Sequence, residues 1–171
     1  MKPIGGYFEL ELPKLQEYHS GALRLNTGRN CLEYILRCRK YRKVYIPYYT
    51  CEVVLEPFKK LGVSYSFYHI DANLELVEEI FLKEGEALLY TNYFGLKQAY
   101  LLQLADRYGK QLIFDNTQAF YALPLGGRIL FILAGNFSEF RTGRTFIRMP
   151  KRTLTWIRII PMTEYRFLSN G

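Results

Sequence analysis

Three short polar clusters interrupt an otherwise apolar pattern: Thr27-Gly28-Arg29-Asn30, Tyr48-Tyr49-Thr50 and Asp115-Asn116-Thr117-Gln118. The first opens a helix-forming run, so its backbone N–H groups and positive dipole end make a seat for a phosphate. The same residues also suit a plain helix cap. Asp115 closes an apolar run, where a buried carboxylate is costly without a partner. A cationic heterocycle is one such partner, and a turn cap is the ordinary alternative. Cys31, Cys38 and Cys51 cannot all pair and show no CxxC spacing. They read as reduced core or near-core thiols, with no metal ligand assigned. His19 and His69 stand far apart without a triad pattern and read as structural or surface residues.

The elements that must carry these clusters alternate. Residues 6–12 alternate enough for a short strand stopped by Pro13. Residues 29–42 place Leu32, Ile35 and Leu36 on one helical face, with basic residues in the last turns where they complement the dipole. A buried strand follows at 44–46, then a helix at 51–61 ended by Gly62, and a strand at 63–70. A strand at 87–92, a helix at 96–108 and a strand at 111–114 complete the pattern. Strands separated by helices imply right-handed crossovers and a largely parallel sheet, an α/β fold. Ligands bind such folds at the carboxyl ends of the strands, where the three clusters fall. The 15 tyrosines include Tyr45, Tyr48 and Tyr49 beside these ends, where ordinary ring packing explains most of them. Glu75, Glu78, Glu79, Glu84 and Glu86 read as a solvated acidic face.

At 171 residues the chain is long enough for one domain with a real core. No run approaches the roughly eighteen apolar residues of a membrane span, and the start of the chain lacks the order of a secretory signal, so a cytoplasmic protein is expected. The net charge of +7 is concentrated at one end. Residues 126–171 hold eight basic and two acidic side chains, a balance of +6, while residues 1–125 hold fifteen and fourteen, a balance of +1. A step this sharp, with the only tryptophan, Trp156, beyond it, suggests two segments of different origin.

The order of the clusters resembles the large domain of fold-type I pyridoxal-phosphate enzymes, and more narrowly the sugar aminotransferase family called DegT/DnrJ/EryC1/StrS. The matching stretches are Leu25 to Arg29, Ile46 to Thr50, Leu61 through Asp71, Tyr93-Phe94-Gly95 and Asp115 to Ala119. The resemblance implies that residues 1–125 are the N-terminal part of a large domain, mainly a parallel sheet with crossover helices and incomplete at its C-terminus. It also implies a pyridoxal phosphate cofactor, a keto-sugar and an amino-acid donor as substrates, and a homodimer. Gly28 and Arg29 would bind the cofactor phosphate through backbone N–H groups. Asp115 would pair with the protonated ring nitrogen and Gln118 would contact the ring hydroxyl. The position that commonly carries a ring-stacking Phe or Trp falls at Cys51, with Tyr49 the nearest aromatic. Asn116-Thr117 replaces the family's usual pair of alanines.

The family's Schiff-base lysine has no counterpart, because the only lysine after Asp115 is Lys151, in the Pro-broken context Met149-Pro150-Lys151-Arg152. No catalytic residue is therefore assigned, and the chain is expected to be inactive, with weak, non-covalent cofactor binding at best. Back-translated with allowed codons and read after skipping two bases, residues 126–148 yield a peptide containing Tyr-Ser-Gly-Arg-Lys-Phe-Phe-Gly. That peptide resembles the family's lysine segment, with its lysine codon straddling those of Gly135 and Asn136. Residues 126–171 are accordingly expected to be a basic, out-of-frame tail created by a frameshift near Gly126; a true basic extension is the alternative. A body stopping near Pro124 would leave a sheet edge open and aggregation-prone, and Phe131, Ile132, Leu133, Phe137 and Phe140 have no assigned partner strand. The rival functional class is a small interaction or nucleic-acid-binding protein using the basic tail. The near-zero charge of the body and the absence of base-stacking motifs argue against it.

Overall fold

The computed structural model describes residues 23–25, 27–119, 122, 130–134 and 145–148. The strand expected at 6–12 lies outside them. The first elements are β1 (Leu23–Leu25), α1 (Gly28–Arg39), β2 (Lys43–Pro47), α2 (Glu56–Leu61) and β3 (Ser64–Tyr68). They are followed by β4 (Glu86–Thr91), α3 (Gln98–Tyr108), β5 (Leu112–Asp115), β6 (Leu130–Ala134) and β7 (Thr145–Arg148). All strands join one sheet in the order β1-β7-β6-β5-β4-β2-β3. The five strands from β3 to β6 run parallel, and β7 is antiparallel to both its neighbours.

Alternation along the central strands sends side chains to two cores. On one face Ala87 and Leu89 of β4 and Ile113 of β5 pack with Leu32, Ile35 and Leu36 of α1 and Phe58 of α2. On the other, Leu88, Tyr90, Leu112 and Phe114 pack with Leu101, Leu104 and Tyr108 of α3. Helices cover both faces, so the middle strands are buried on both sides, as parallel strands require. Tyrosines do much of this packing because each finds an acceptor for its hydroxyl: Tyr68 donates to the Leu89 carbonyl, Tyr90 to that of Leu74 and Tyr108 to that of Ile80. Across the helices, Glu33 of α1 accepts from Arg37 and from Lys60 of α2, at 2.8 and 2.9 Å.

The strands expected among the described residues fall within two residues of their expected bounds, and three helices depart from theirs for local reasons. The helix expected at 51–61 is split into a 3₁₀ turn, Glu52–Leu55, and α2. Pro57 cannot donate to a carbonyl one turn back, and it sits in the first turn of α2, where no donor is needed. The helix begun at 29 stops at Arg39 because Lys40 takes a left-handed conformation, φ 53°, with its N–H returned to the Leu36 carbonyl. The helix expected from residue 96 begins at Gln98, since Leu96 and Lys97 donate instead to the Tyr93 carbonyl and to Asn92 Oδ1.

The sheet edge expected to stay open beyond β5 is occupied. β6 pairs with it in parallel, Phe114 opposite Phe131 and Asp115 opposite Ile132, and Leu133 pairs with Phe146 of β7, so residues 131–133 do have partner strands. Phe137 and Phe140 lie outside the described residues.

Candidate functional site

Helix α1 starts from Thr27, whose backbone is extended and whose Oγ1 accepts from the Asn30 N–H at 3.2 Å. The Thr27 carbonyl takes the Cys31 N–H. That leaves Gly28 and Arg29, the first two helical residues, with N–H groups that have no partner among the described residues. The Arg29 guanidinium is engaged elsewhere, 2.6 Å from Glu56, so at this site Arg29 acts through its main chain. Thr27→Ala removes the cap and is expected to cost about 1 kcal/mol, lowering the melting temperature by roughly 2–4 °C in a thermal scan.

The loop after β2 brings up Tyr49, Thr50 and Cys51. Tyr49 is held twice by Tyr93: their rings stack with centroids 5.6 Å apart, and the Tyr93 hydroxyl donates to the Tyr49 carbonyl at 2.8 Å. Tyr93 is buried, and that desolvation, helped by the nearby Asp115 charge, keeps its phenol protonated well beyond the ordinary range. Cys51 is exposed, contrary to its expected place in or near the core, because it precedes the 3₁₀ turn on an open loop. Cys31 and Cys38 meet the expectation as buried and half-buried free thiols.

Asp115 is the last residue of β5 and only 7% exposed. Its Oδ1 accepts from the Thr117 N–H at 2.9 Å, and Thr91 Oγ1 lies 3.5 Å from Oδ2, its residue being directly opposite in the β4–β5 ladder. Both partners are neutral, and no ion pair reaches Asp115 among the described residues. Burial raises its pKa; the hydrogen bonds from Thr117 and Thr91 oppose that rise without cancelling it. Next to it, Asn116 is buried with Oδ1 unpartnered among the described residues, an arrangement that alanine would not impose. Gln118 is exposed and accepts through Oε1 from the Phe94 N–H at 2.9 Å.

All four residues expected to bind a ligand, Gly28, Arg29, Asp115 and Gln118, line one cavity of about 520 Å³. Tyr49, Cys51, Thr91, Tyr93 and Phe94 complete its polar and aromatic wall. Thr91 was not singled out in the sequence, although its place at the carboxyl end of a strand was the available signal. Other titratable groups pair away from the cavity: His69 sits 3.3 Å from Glu78, and Glu75 pairs with Lys97 at 2.5 Å. Glu79 pairs with Arg107. Among the described residues no group of His, Cys, Asp and Glu could hold a metal ion, and no helix is long and apolar enough to cross a membrane. His19, Lys151 and most of the basic tail lie outside the described residues.

No known family profile matches the chain, and no curated protein does. Solved structures do match. A sugar aminotransferase from Micromonospora echinospora superposes with a TM-score of 0.54 at 17% identity, covering 78% of this chain and 42% of its own. The histidinol-phosphate aminotransferase from Clostridium acetobutylicum gives a TM-score of 0.56 at 20% identity, with 77% and 46% covered. The chain has a partial aminotransferase fold. A PLP-bound C-S lyase from Staphylococcus hominis shares that fold at a TM-score of 0.55 and 12% identity, covering 82% of this chain and 45% of its own. The chain spans less than half the length of each of the three. Within this aminotransferase fold the cavity sits at the carboxyl ends of β2, β4 and β5, capped by the start of α1.

Proposed function

We propose that this chain is the cofactor-binding part of a pyridoxal-phosphate-dependent aminotransferase of the DegT/DnrJ/EryC1/StrS type, acting on a keto-sugar with an amino-acid donor. The observation that carries the reading is Asp115, a buried carboxylate with neutral partners only, set in the same cavity as the uncommitted N–H groups of Gly28 and Arg29. An uncompensated carboxylate in a dry place favours a cationic ligand, and the amides at the start of α1 favour an anionic one. Pyridoxal phosphate, with a protonatable ring nitrogen and a phosphate at opposite ends, fits this donor and acceptor set. When bound, it supplies an electron sink for chemistry at the substrate's amino-bearing carbon. The chain's own contribution is to keep that ring nitrogen charged through Asp115, to seat the phosphate on α1 and to wall the cavity with the stacked rings of Tyr49 and Tyr93.

The reading includes inactivity of the chain as it stands. Residues 1–125 are taken as native and residues 126–171 as the product of a shifted frame, so the amine that would anchor the cofactor is missing. Dimerisation and a cytoplasmic location belong to the same proposal, the complete protein being a soluble homodimer. The test is a titration of the chain with pyridoxal phosphate, followed by dialysis and by borohydride reduction. Saturable binding that dialyses away, with no mass increase after reduction, is the expected result. A borohydride-stable adduct on Lys151 would overturn the inactivity, and absence of any saturable binding would overturn the cofactor reading.

A further inference from the structure

The turn after β4 holds two successive residues in left-handed backbone, Phe94 at φ +54° and Gly95 at φ +73°. Glycine adopts that conformation freely, whereas a phenylalanine is forced into it only where its surroundings hold it. The Phe94 N–H donates to Gln118 Oε1 at 2.9 Å, which supplies one such hold. A Cβ placed on Gly95 would lie 3.6 Å from that of Ala119, so the turn rests directly against residues 118 and 119.

This contact decides how the Gln118 amide is turned. A main-chain N–H can only donate, so the end of the amide facing Phe94 must be the oxygen. The NH₂ end is directed away from that contact and has no partner among the described residues. Both residues line the cavity that also contains Asp115, whose ionised carboxylate can only accept. The cavity thus offers a ligand an acceptor at Asp115 and a donor at Gln118.

We propose that Phe94 is a positioning residue: its main-chain N–H holds the Gln118 amide so that the NH₂ group, and not the oxygen, meets an anionic ring oxygen of the bound ligand. The inference rests on the cofactor reading above and adds to it the device that orients the side chain. The strain at Phe94 is then the means by which an exposed, flexible glutamine is kept in one of its two amide orientations.

The test compares the affinities of the whole chain for pyridoxal phosphate and for 3-deoxypyridoxal phosphate, which lacks the ring hydroxyl. The unmodified chain is expected to prefer the hydroxylated ligand by about tenfold, the scale of one charge-assisted hydrogen bond. Gln118→Glu still accepts from Phe94 but offers no donor, and brings the ratio to one or below. Phe94→Gly deletes the ring yet keeps the N–H and the left-handed backbone, and keeps the preference. Phe94→Pro removes the N–H and cannot take a positive φ, and loses the preference while still binding the 3-deoxy analogue. A Pro variant that keeps the ratio, or a Gly variant that loses it, overturns the inference. Should the Pro variant bind neither ligand, the Gly and Glu variants decide by the same ratios. An unmodified chain that binds both ligands equally refutes this inference and leaves the cofactor reading standing; one that binds neither refutes both.

Discussion

Restoring the reading frame near codon 126 is expected to change the chain from one that holds pyridoxal phosphate reversibly to one that carries it covalently. The physical basis is the missing amine: on this reading the residues that now form β6 are themselves out of frame, and restoring the frame replaces them with a segment that carries a lysine. Back-translated with allowed codons, the other frame places a lysine codon across those of Gly135 and Asn136. That lysine would supply the amine that the family resemblance assigns to the cofactor. In the chain as it stands, no lysine lies between Asp115 and Lys151. Expression of the re-framed gene, incubation with cofactor, borohydride reduction and mass spectrometry should give close to one adduct per chain, against none for the present sequence. A re-framed protein that folds but takes up no adduct refutes the assignment of the tail. So does a coding sequence whose other frame lacks the lysine segment.

Between residues 28 and 115 most of the fold was legible because punctuation and periodicity agree there. Pro47 and Gly62 close elements whose apolar spacing switches between helical and strand periods, and Thr27 marks a helix start with its own side chain. What escaped depends on neighbours that sequence order does not name. Thr91 looks like the polar end of an apolar strand, and its role appears only once β4 and β5 are known to be adjacent, since that adjacency sets it opposite Asp115. Leu130 to Ala134 is a short apolar run that reads equally as strand or buried helix until a partner strand is known. The orientation of Gln118 required a left-handed phenylalanine, which no propensity would predict. Of the candidate site, the residues that bring a charge or a main-chain amide to the cavity could be read in advance, while those that hold them in place could not.

Asp115→Asn is expected to make the ligand-free protein more stable and its cofactor affinity much weaker. In the folded chain the pKa of Asp115 is raised, mainly by burial, above the roughly 3.9 of an unfolded aspartate. The folded state therefore binds the proton more tightly, and stability from this group is fully present below the unfolded pKa. It is lost progressively as pH rises through the folded value, because the buried group must then ionise. At neutral pH the wild-type site bears that cost, and the isosteric amide does not. Asn keeps an oxygen for the Thr117 N–H and offers an NH₂ group to Thr91, so little else changes. The gain should be present at neutral pH and shrink towards zero near pH 4. The informative measurement is the difference in melting temperature between variant and wild type across that range, which cancels the titration of every other carboxylate. With pyridoxal phosphate present the order should reverse, since a protonated ring nitrogen gains a charged partner only in the wild type, and its loss costs roughly 1.5–3 kcal/mol, or about ten- to a hundredfold in affinity. A variant less stable than wild type at neutral pH would mean that the carboxylate is compensated within the chain. A variant that binds the cofactor equally well would mean that Asp115 does not meet the ring. Opposite signs in the two experiments are the signature of a group kept for its ligand at the expense of the fold that holds it.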